Sequence, residues 1–484
     1  MFVSEIDDPS FDAVFVGSGF ATSFFLHRFL KSAPKTYRVL ILERGRLNTL
    51  AWQRETQQNS DIPEDGVLDL QGAFNAQWRF TMGVGGGSNC WTGDTPRPIP
   101  NDLSMQTTYG VGIDWPVSYE ELEPFMAEAE DIMQVSGPED GGPQARSTPY
   151  PQPPHRFSAP DRVLKAAQPS LHFAAPTARA RIATETRPAC CGTTNCSFCP
   201  VGARFTLLKD MASLFEDPRV QLLTEAEALS LELSGGRAVG MNLRHGGREK
   251  RVSADLFALG ANSFFNPFLL LKSGIQHAAL GKRLHHYGIQ RAHVYLDGLD
   301  GFGGSSLMTG HNFALRDGTF RRDTGGCLLV TLNRGLLRTE PRRWREVLNL
   351  DLKIEDLPLE TNRVEVSKDD PSKPIAIFED FGPYFYKGLE RAKEKLPSVL
   401  KALPIERIDF DGHIGKTAYH NQGTVLMGND PAASVVDRHL LHHDIRNLLV
   451  LGASAFPTGP VANPTLTLCA LSLWSARKLT ASQA

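Results

Sequence analysis

The sequence predicts an α/β fold, α+β overall, in which a β-rich unit is inserted into a parallel-sheet domain. Three observations carry this. The stretch 12–45, DAVFVGSGFATSFFLHRFLKSAPKTYRVLILERG, reads as strand, glycine turn, helix, strand and acid in that order. From residue 291 to 415 the pattern changes to strand-like segments at 293–298, 327–333, 348–355, 363–366 and 375–379, with a charged helix at 386–402. From Lys416 the chain turns apolar and glycine-punctuated again and closes on a helix over 465–479. At 484 residues the chain is also too long for a single hydrophobic core.

The 12–45 unit is Rossmann-like. Residues 13–16 and Val39–Leu42 are apolar runs of buried-strand length, and Phe24, Phe25, Phe29 and Leu30 fall at helical spacing between them. In Gly17-Ser18-Gly19, Gly17 permits a tight turn and Gly19 lets backbone approach a pyrophosphate. The helix that follows, opening at Phe20 and Ala21, turns its positive end toward that charge. Thr22 stands where the motif has its third glycine, so helix and strand must pack around a side chain. Glu43 ends the second strand, where a carboxylate accepts from a ribose diol, and Arg44 follows it.

Further along, 53–65 is polar and reads as a surface loop. Gly83, Gly85, Gly86 and Gly87 then fall close together, a density that suits backbone pressed against a flat or anionic ligand. Ser88 and Asn89 come next, either as ligand contacts or as caps of the following turn. Cys90 shares their position, and Trp91 reads as a packing residue. Ser118 and Glu121 form a capping box ahead of Leu122, Phe125, Met126 and Ala129 at helical spacing. Residues 134–160 are rich in Gly and Pro and read as a long crossing loop. A helix is expected over 204–215 and an antiparallel meander over 219–260, whose last piece returns to a buried strand ending at Gly260.

Composition narrows the function. The formal charge of −3, with both signs mixed, offers no basic field to nucleic acid. No apolar run reaches about 18 residues, so no membrane span of the chain's own is expected. The opening MFVSEIDDPSFDAV is acidic and lacks a signal-peptide shape. On its own sequence the chain is therefore expected in the cytoplasm, or in the periplasm if a signal-bearing subunit carries it out. Of seven cysteines, Cys190, Cys191, Cys196 and Cys199 cluster. Clustering in a long chain points to metal or redox chemistry rather than a disulfide framework. Zinc is the competing metal reading, because CxxC is also a zinc spacing, and a disulfide is the third.

Together these motifs resemble the glucose–methanol–choline (GMC) flavoprotein oxidoreductases over nearly the whole chain. GSGFAT with LERG is similar to their flavin ADP site. GVGGGSNCWTG, with Gly83, Gly86, Gly87 and Gly93 in and beside it, is similar to the signature that wraps the flavin. LFALGANSFFNPFLLLKSG, holding Ala258 and Gly260, is similar to their third flavin strand. AYHNQGTVLMG, SVVD and NLLVLGASAFPTGPVANPTLTLCALSLWSA are similar to their C-terminal signature. CCGTTNCSFCPVGA, DWPVSYEELEPF and EDLPLETNRVEV bring the resemblance nearest to catalytic subunits of bacterial FAD-dependent glucose dehydrogenase, fructose dehydrogenase and glucoside 3-dehydrogenase.

The resemblance implies a GMC-type division. An FAD-binding domain covers 9–105, 200–290 and 416–484, and a substrate domain covers 291–415 with loop 106–160. A cysteine-rich cluster loop covers 186–203. It implies an FAD held by the glycine motifs above with Ser18, Thr22, Ser88, Asn89, Ala453, Pro464 and Thr465. It also implies an iron–sulfur cluster on Cys190, Cys191, Cys196 and Cys199, 3Fe-4S in preference to 4Fe-4S. His420 then takes the alcohol proton while hydride passes to flavin N5, and Asn463 donates its amide to the alkoxide oxygen. The implied reaction is dehydrogenation of a secondary hydroxyl of a sugar or glycoside. Electrons leave to a cytochrome-type acceptor, and a small accessory subunit accompanies the chain. An oxidase using oxygen, and a lyase-like member with structural FAD, are the alternatives. Asn262 and Tyr384 are candidates for the substrate side, and His285, His286, His413, His442 and His443 read as loop or surface residues.

Overall fold

The computed structural model describes residues 1–334, 338–416 and 419–481. Ala418, which opens the AYHNQGTVLMG stretch, and 482–484 at the end of the 416–484 segment lie outside the described residues.

The strands Ser10–Val16 and Val39–Leu42 are parallel neighbours, with Val14 opposite Leu40. Both are buried on both faces, which is why they read as unbroken apolar runs rather than alternating ones. Across the sheet the order is Phe2–Val3, Val220–Leu223, Val39–Leu42, Ser10–Val16, Arg248–Leu259, Arg237–His245 and Ala226–Ser234. Leu448–Val450 also pairs with Arg248–Leu259. That 12-residue strand divides its length. Its first part pairs antiparallel with Arg237–His245, and its last part runs parallel to Ser10–Val16 and Leu448–Val450. The expected meander over 219–260 begins only at Ala226, because Val220–Leu223 belongs to the parallel sheet.

The helix Phe20–Phe29 packs on this sheet and against Pro464–Ala481, which in turn packs on Tyr119–Met133. Phe15, Phe24, Phe25 and Phe29 are fully buried at that junction. Ser118 and Glu121 make the expected reciprocal cap on Tyr119–Met133. Two local expectations change. The helix expected over 204–215 breaks at Met211 into Leu207–Asp210 and Ala212–Glu216. Within the polar 53–65 stretch, part is helix: Leu50–Thr56 starts at Thr49, whose side chain accepts from the Trp52 N–H.

A six-stranded antiparallel sheet has the order Ile405–Phe410, Gly288–Leu296, Val347–Ile354, Cys327–Leu332, Met308–Asn312 and His172–Ala174. Met308–Asn312, Ile405–Phe410 and His172–Ala174 are strands that the sequence pattern did not single out. A three-stranded sheet joins Arg363–Val366 and Pro374–Ile377 to the distant Asp69–Gln71. The large antiparallel sheet has two unlike faces. Ala292, Val294, Leu348, Leu350, Leu352 and Ile354 share a core with Phe385, Leu389 and Leu396 of the helix Pro383–Val399. The alternate positions Ile289, Arg291, Asp351 and Lys353 turn to a large internal cavity. Among the described residues no helix is long and apolar enough to cross a membrane.

The missing third glycine is accommodated from the opposite side. Gly260 has no side chain, and a Cβ there would meet Thr22 Oγ1 at 2.4 Å. The helix therefore approaches the strand through Gly260 instead of through a glycine at position 22. Gly260→Ala is expected to lower the unfolding free energy by about 1–3 kcal/mol, and Thr22→Ala in the same chain to recover most of it. Urea denaturation of the four chains tests this. A Gly260→Ala loss of the same size with and without Thr22→Ala would sink the packing account.

Candidate functional site

A cavity of about 770 Å³ runs between the parallel sheet and the large antiparallel sheet. The first glycine turn supplies Gly17, Ser18, Gly19, Phe20 and Ala21 to its wall, and Glu43 and Arg44 follow from the second strand. Gly86, Gly87 and Cys90 come from the second glycine stretch. Gly260, Ala453, Pro464, Thr465, His420 and Asn463 come from the later segments. Residues more than 400 positions apart in the chain thus share one cavity.

The turn is built as expected for an anion. Gly17 has φ +86°, and a Cβ there would lie 2.7 Å from the Gly260 carbonyl oxygen. Nothing lies within 4 Å of a Cβ placed on Gly19 or on Gly87, so both leave open space on the cavity side. The helix Phe20–Phe29 begins there, capped by Gly19, with its first N–H groups free of a side-chain cap. These residues fit a dinucleotide such as FAD: a wide cradle, glycines where backbone must come close, and a helix N-terminus for the phosphates.

Glu43 is buried and fully engaged inside the protein. Its Oε2 accepts from the Ser18 N–H at 3.1 Å and the Ser18 hydroxyl at 2.7 Å. Its Oε1 accepts from the Gly45 N–H at 3.0 Å and the Gly83 N–H at 3.1 Å. Four donors occupy both oxygens, so Glu43 clamps the two glycine stretches together.

Six of the residues expected to contact FAD lie off the cavity wall: Thr22, Gly83, Ser88, Asn89, Gly93 and Ala258. Ser88 donates to the Gly85 carbonyl at 2.7 Å, and Asn89 Nδ2 donates to the Val84 carbonyl at 2.7 Å. Both therefore hold the glycine turn. Gly93, at φ +82°, packs against the Arg179 and Arg204 side chains. Ala258 is buried in the sheet between its parallel neighbours. Asn262 reaches the cavity, while Tyr384 is buried elsewhere with its hydroxyl donating to the Arg321 carbonyl. Trp91 lines the cavity with its Nε1–H donated to the Phe205 carbonyl, and its ring packs on Phe20.

Within the cavity a connected set of side chains surrounds His420. Lys353 Nζ donates to Asn463 Oδ1 at 2.5 Å and to Asp94 Oδ2 at 2.9 Å. His311 Nε2 lies 3.2 Å from Asp94 Oδ1. The Tyr287 hydroxyl donates to Asn463 Oδ1 at 3.2 Å and sits 2.9 Å from His420 Nδ1. A phenol has one proton, so with that proton on Asn463 it accepts from the His420 Nδ1–H. His420 Nε2 is then the lone-pair nitrogen, 3.3 Å from Asn463 Nδ2. The Lys353 cation fixes Asn463 with its oxygen inward and its amide toward His420.

The electrostatics agree. Burial first, then the Lys353 ammonium, pull the His420 imidazole down to about 3, so it is neutral at ordinary pH. Burial alone would raise the Asp94 carboxyl, but Lys353 and His311 hold it well below the usual carboxylate range. Burial and the Asp94 charge push the Tyr287 phenol well up.

Tyr287, Asp94, Lys353 and His311 went unrecognised in the sequence. The signal for Lys353 was present: in VLNLDLKI, Asn349, Asp351 and Lys353 alternate with leucines. That is the pattern of a strand with one wet face, yet all eight residues are buried, and Asp351 and Lys353 of the polar face line the cavity.

The cysteine loop lies beside this cavity, and Ser197 and Phe198 line it. All seven cysteines are free thiols in this structure. Cys196 and Cys199 are buried, Cys190 is half-buried and Cys191 is exposed. Among the described residues no three Cys, His, Asp or Glu side chains stand together as metal ligands. The surroundings nevertheless suit negative sulfur. Burial opposes ionisation of Cys199, but the N–H groups of Ala203, Arg204, Val201 and Gly202 lower its thiol below the usual range.

Three of the five histidines expected in loops or at the surface are buried: His285, His286 and His442. His413 is exposed and His443 is half-buried, as a loop position allows. Each buried ring is held in place through Nδ1. His285 Nδ1 meets the Arg283 carbonyl at 2.7 Å and His286 Nδ1 meets the Tyr287 carbonyl at 2.9 Å. His442 Nδ1 accepts from the Asp444 and Ile445 N–H groups.

Residues 358–472 match the family described as GMC oxidoreductase. The chain is 28% identical to the fructose dehydrogenase large subunit of Gluconobacter japonicus, over 96% of this chain and 97% of that one. It is 25% identical to the gluconate 2-dehydrogenase flavoprotein of Pantoea cypripedii, over 82% of this chain and 78% of that one. Among solved structures it superposes on pyridoxine 4-oxidase from Mesorbium loti with a TM-score of 0.67 at 18% identity, covering 96% of this chain and 98% of that one. That likeness establishes the shared fold.

The buried histidines make the protein acid-labile in a defined window. Burial lowers His155 and His285 to about 4 and His286 to about 3, from 6.5. As pH falls below 6.5 the unfolded chain takes up protons that the folded chain refuses. Each group then removes roughly 1.4 kcal/mol of stability per pH unit until its folded value is reached. Urea midpoints are expected to be flat above neutral pH and to fall steadily from 6.5 to 4. A profile that stays level to pH 4.5 would contradict burial of these rings in the neutral form.

Proposed function

We propose that the chain is a GMC oxidoreductase, an FAD-dependent enzyme acting on CH–OH groups, and within that family a dehydrogenase of a secondary hydroxyl of a sugar or glycoside. The observation that carries the reading is the His420–Asn463–Tyr287–Lys353 constellation opening onto the same cavity as the two glycine turns. FAD, when bound, supplies the two-electron acceptor for the carbinol hydrogen. Gly17, Ser18, Gly19 and the N-terminus of Phe20–Phe29 would hold its phosphates.

His420 does the proton work. Its Nε2 carries the lone pair, which the Asn463 amide faces at 3.3 Å, and the lowered basicity keeps that pair unprotonated until substrate arrives. A hydroxyl placed beside Nε2 gives up its proton there. The positive charge gained by the ring is relieved through Nδ1–H and the Tyr287 hydroxyl, which is in turn tied to Asn463. Asn463 Nδ2 points to the same place and donates to the oxygen as it becomes negative, a fixed dipole that needs no rearrangement. Lys353 orients that amide and adds positive potential where negative charge develops.

The dehydrogenase assignment, the sugar substrate and a non-oxygen acceptor are supported by the fructose- and gluconate-linked relatives. Cys190, Cys191, Cys196 and Cys199 would hold an iron–sulfur cluster, 3Fe-4S in preference to 4Fe-4S, which supplies a one-electron outlet. A cytochrome-type protein and a small accessory subunit are the partners this outlet calls for.

Two measurements test the reading. His420→Ala is expected to keep its yellow colour and lose about 10²–10⁴-fold in kcat. A variant with bound flavin and undiminished turnover would remove His420 from the chemistry. Second, protein purified without air and mixed with a panel of sugars and simple alcohols is followed by absorbance and electron paramagnetic resonance. Flavin bleaching by a sugar with a changed iron–sulfur signal is expected. Bleaching with no iron in the protein would discard the cluster and move an oxygen-using oxidase to the front.

A further inference from the structure

Buried arginine–carboxylate pairs in this chain use up their hydrogen-bonding groups. Arg97 Nε and Nη2 meet the two oxygens of Glu130 at 2.9 and 2.8 Å, and Arg321 sets Nε and Nη2 against the two oxygens of Glu355. Such a fork spends two donors and both acceptors. Arg187 makes no fork with Asp210, but backbone takes what is left. Its Nη1 and Nη2 donate to the Ala178 and Met133 carbonyls at 3.1 and 2.8 Å, and Asp210 Oδ2 accepts from the Thr206 N–H at 2.9 Å.

The pair Arg291–Asp351 is built otherwise. Arg291 Nε donates to Asp351 Oδ1 at 2.8 Å. Among the described residues nothing else bonds the Nη groups of Arg291 or Oδ2 of Asp351. Both side chains line the large cavity, and that of Arg291 is 30% exposed against 0% for Arg97. The two charges cancel while donors and an acceptor stay on offer to the cavity.

The sheet register places this pair relative to the chemistry. Arg291 lies opposite Asp351, and Ile289 opposite Lys353 is the neighbouring pair on the same face. Lys353 reaches Asn463 beside His420 and so marks the reacting end. Two residues along a strand span about 6–7 Å, which sets Arg291 and Asp351 roughly the width of a sugar ring from that end. Ile289 and Met308 add apolar surface to the same cavity. A wall with polar groups at two points and apolar surface beside them suits a ring that has C–H faces and a rim of hydroxyls.

We propose that Arg291 and Asp351 form a subsite for ring hydroxyls remote from the reacting carbon, through which the cavity selects a polyhydroxylated ring over a simple alcohol. The inference deepens the reading of this cavity as a site of hydroxyl oxidation and rests on it. Asp351 Oδ2 accepts from one hydroxyl, and an Nη–H of Arg291 donates to its neighbour. An acceptor and a donor side by side match a vicinal diol. The C–H face of the ring then lies against Ile289 and Met308.

The test is calorimetric binding to the whole flavin-containing protein. The probes are D-glucose, D-fructose, methyl glucoside and cyclohexanol, the last a ring of similar size with one hydroxyl. Wild type is expected to bind the best of the sugars about 10–100-fold more tightly than cyclohexanol, and Asp351→Asn and Arg291→Lys each to bring that ratio down about tenfold. Arg291→Lys keeps a positive charge beside Asp351 but loses the planar donors. A pair that only joins the two strands would leave the ratio where it was. An unchanged ratio in both variants, or a wild type that binds no sugar more tightly than cyclohexanol, would overturn the proposal.

A second measurement needs no variant to fold. Monodeoxy analogues of the best sugar are titrated into wild type, and two at adjacent positions are expected to bind about tenfold or more weakly than the parent. Uniform affinity across the series overturns the subsite. Anaerobic reduction by the same compounds separates the two readings. A sugar that bleaches the flavin, with a binding ratio indifferent to both substitutions, removes the subsite and leaves the dehydrogenase. A sugar that binds as expected and never bleaches the flavin removes the dehydrogenase and leaves the subsite.

Discussion

The carboxylate of Glu43 holds this site together. Each of its oxygens accepts two donors, from Ser18 on one and from Gly45 and Gly83 on the other. Ser18 passes the link on, its hydroxyl accepting from the Gly85 N–H at 3.1 Å. Two glycine-rich stretches some 65 residues apart are thereby brought to contact, so close that a Cβ on Gly86 would lie 3.2 Å from the Gly19 Cα. Glycine-rich backbone loses more entropy on ordering than any other. A charged acceptor with four donors is the kind of interaction that can hold it in one conformation.

The other half of the cavity depends on sheet periodicity. The strands Gly288–Leu296 and Val347–Ile354 pair in register, Ile289 opposite Lys353 and Arg291 opposite Asp351. Because side chains alternate, burying one face under the helix Pro383–Val399 necessarily delivers the other to the cavity. Arg291 and Asp351 satisfy each other at 2.8 Å, and Lys353 is left to Asp94 and Asn463. A register slip of one residue would bury both charges in the leucine core, so the core and the site specify one another. The rigidity of the sheet is also what lets an ammonium define the orientation of an amide on a different segment.

Much of this was legible in the sequence where periodicity and glycine placement act locally. The Ser10–Val16 and Val39–Leu42 strands, the Gly17 turn and the Ser118 cap follow from short-range rules, and each forms as those rules require. His420 and Asn463 were reached through a resemblance, not through physics, since nothing local distinguishes them. Three things were not legible. Ser88 and Asn89 carried two readings, and only their bonds to Gly85 and Val84 show them bracing the turn. Lys353 sat in a pattern that ordinarily means solvent, because alternation reveals two faces but not what the second one meets. His285, His286 and His442 looked polar and proved buried, each with a ring nitrogen tied to backbone.

The distribution of buried charge connects these halves. Where the fold alone requires an internal arginine, it supplies an acid: Glu130 for Arg97, Glu355 for Arg321. At Lys353 and beside the cysteine loop the pairing is less complete. Lys353 shares its charge between one carboxylate and a neutral amide, and the Arg179–Arg204 pair has carbonyls and thiols in place of acids. The loop that carries those thiols is also a wall. Ser197 and Phe198 face the large cavity, whereas Cys199, Gly202 and Arg204 face a second, largely apolar cavity of about 400 Å³. Buried positive charge thus stands at two places: at Lys353 beside Asn463, and at Arg179 and Arg204 beside the cysteine loop. At the first of these the Lys353 cation holds Asn463 with its amide toward His420, so the buried charge orients the groups that the proposed proton transfer would use.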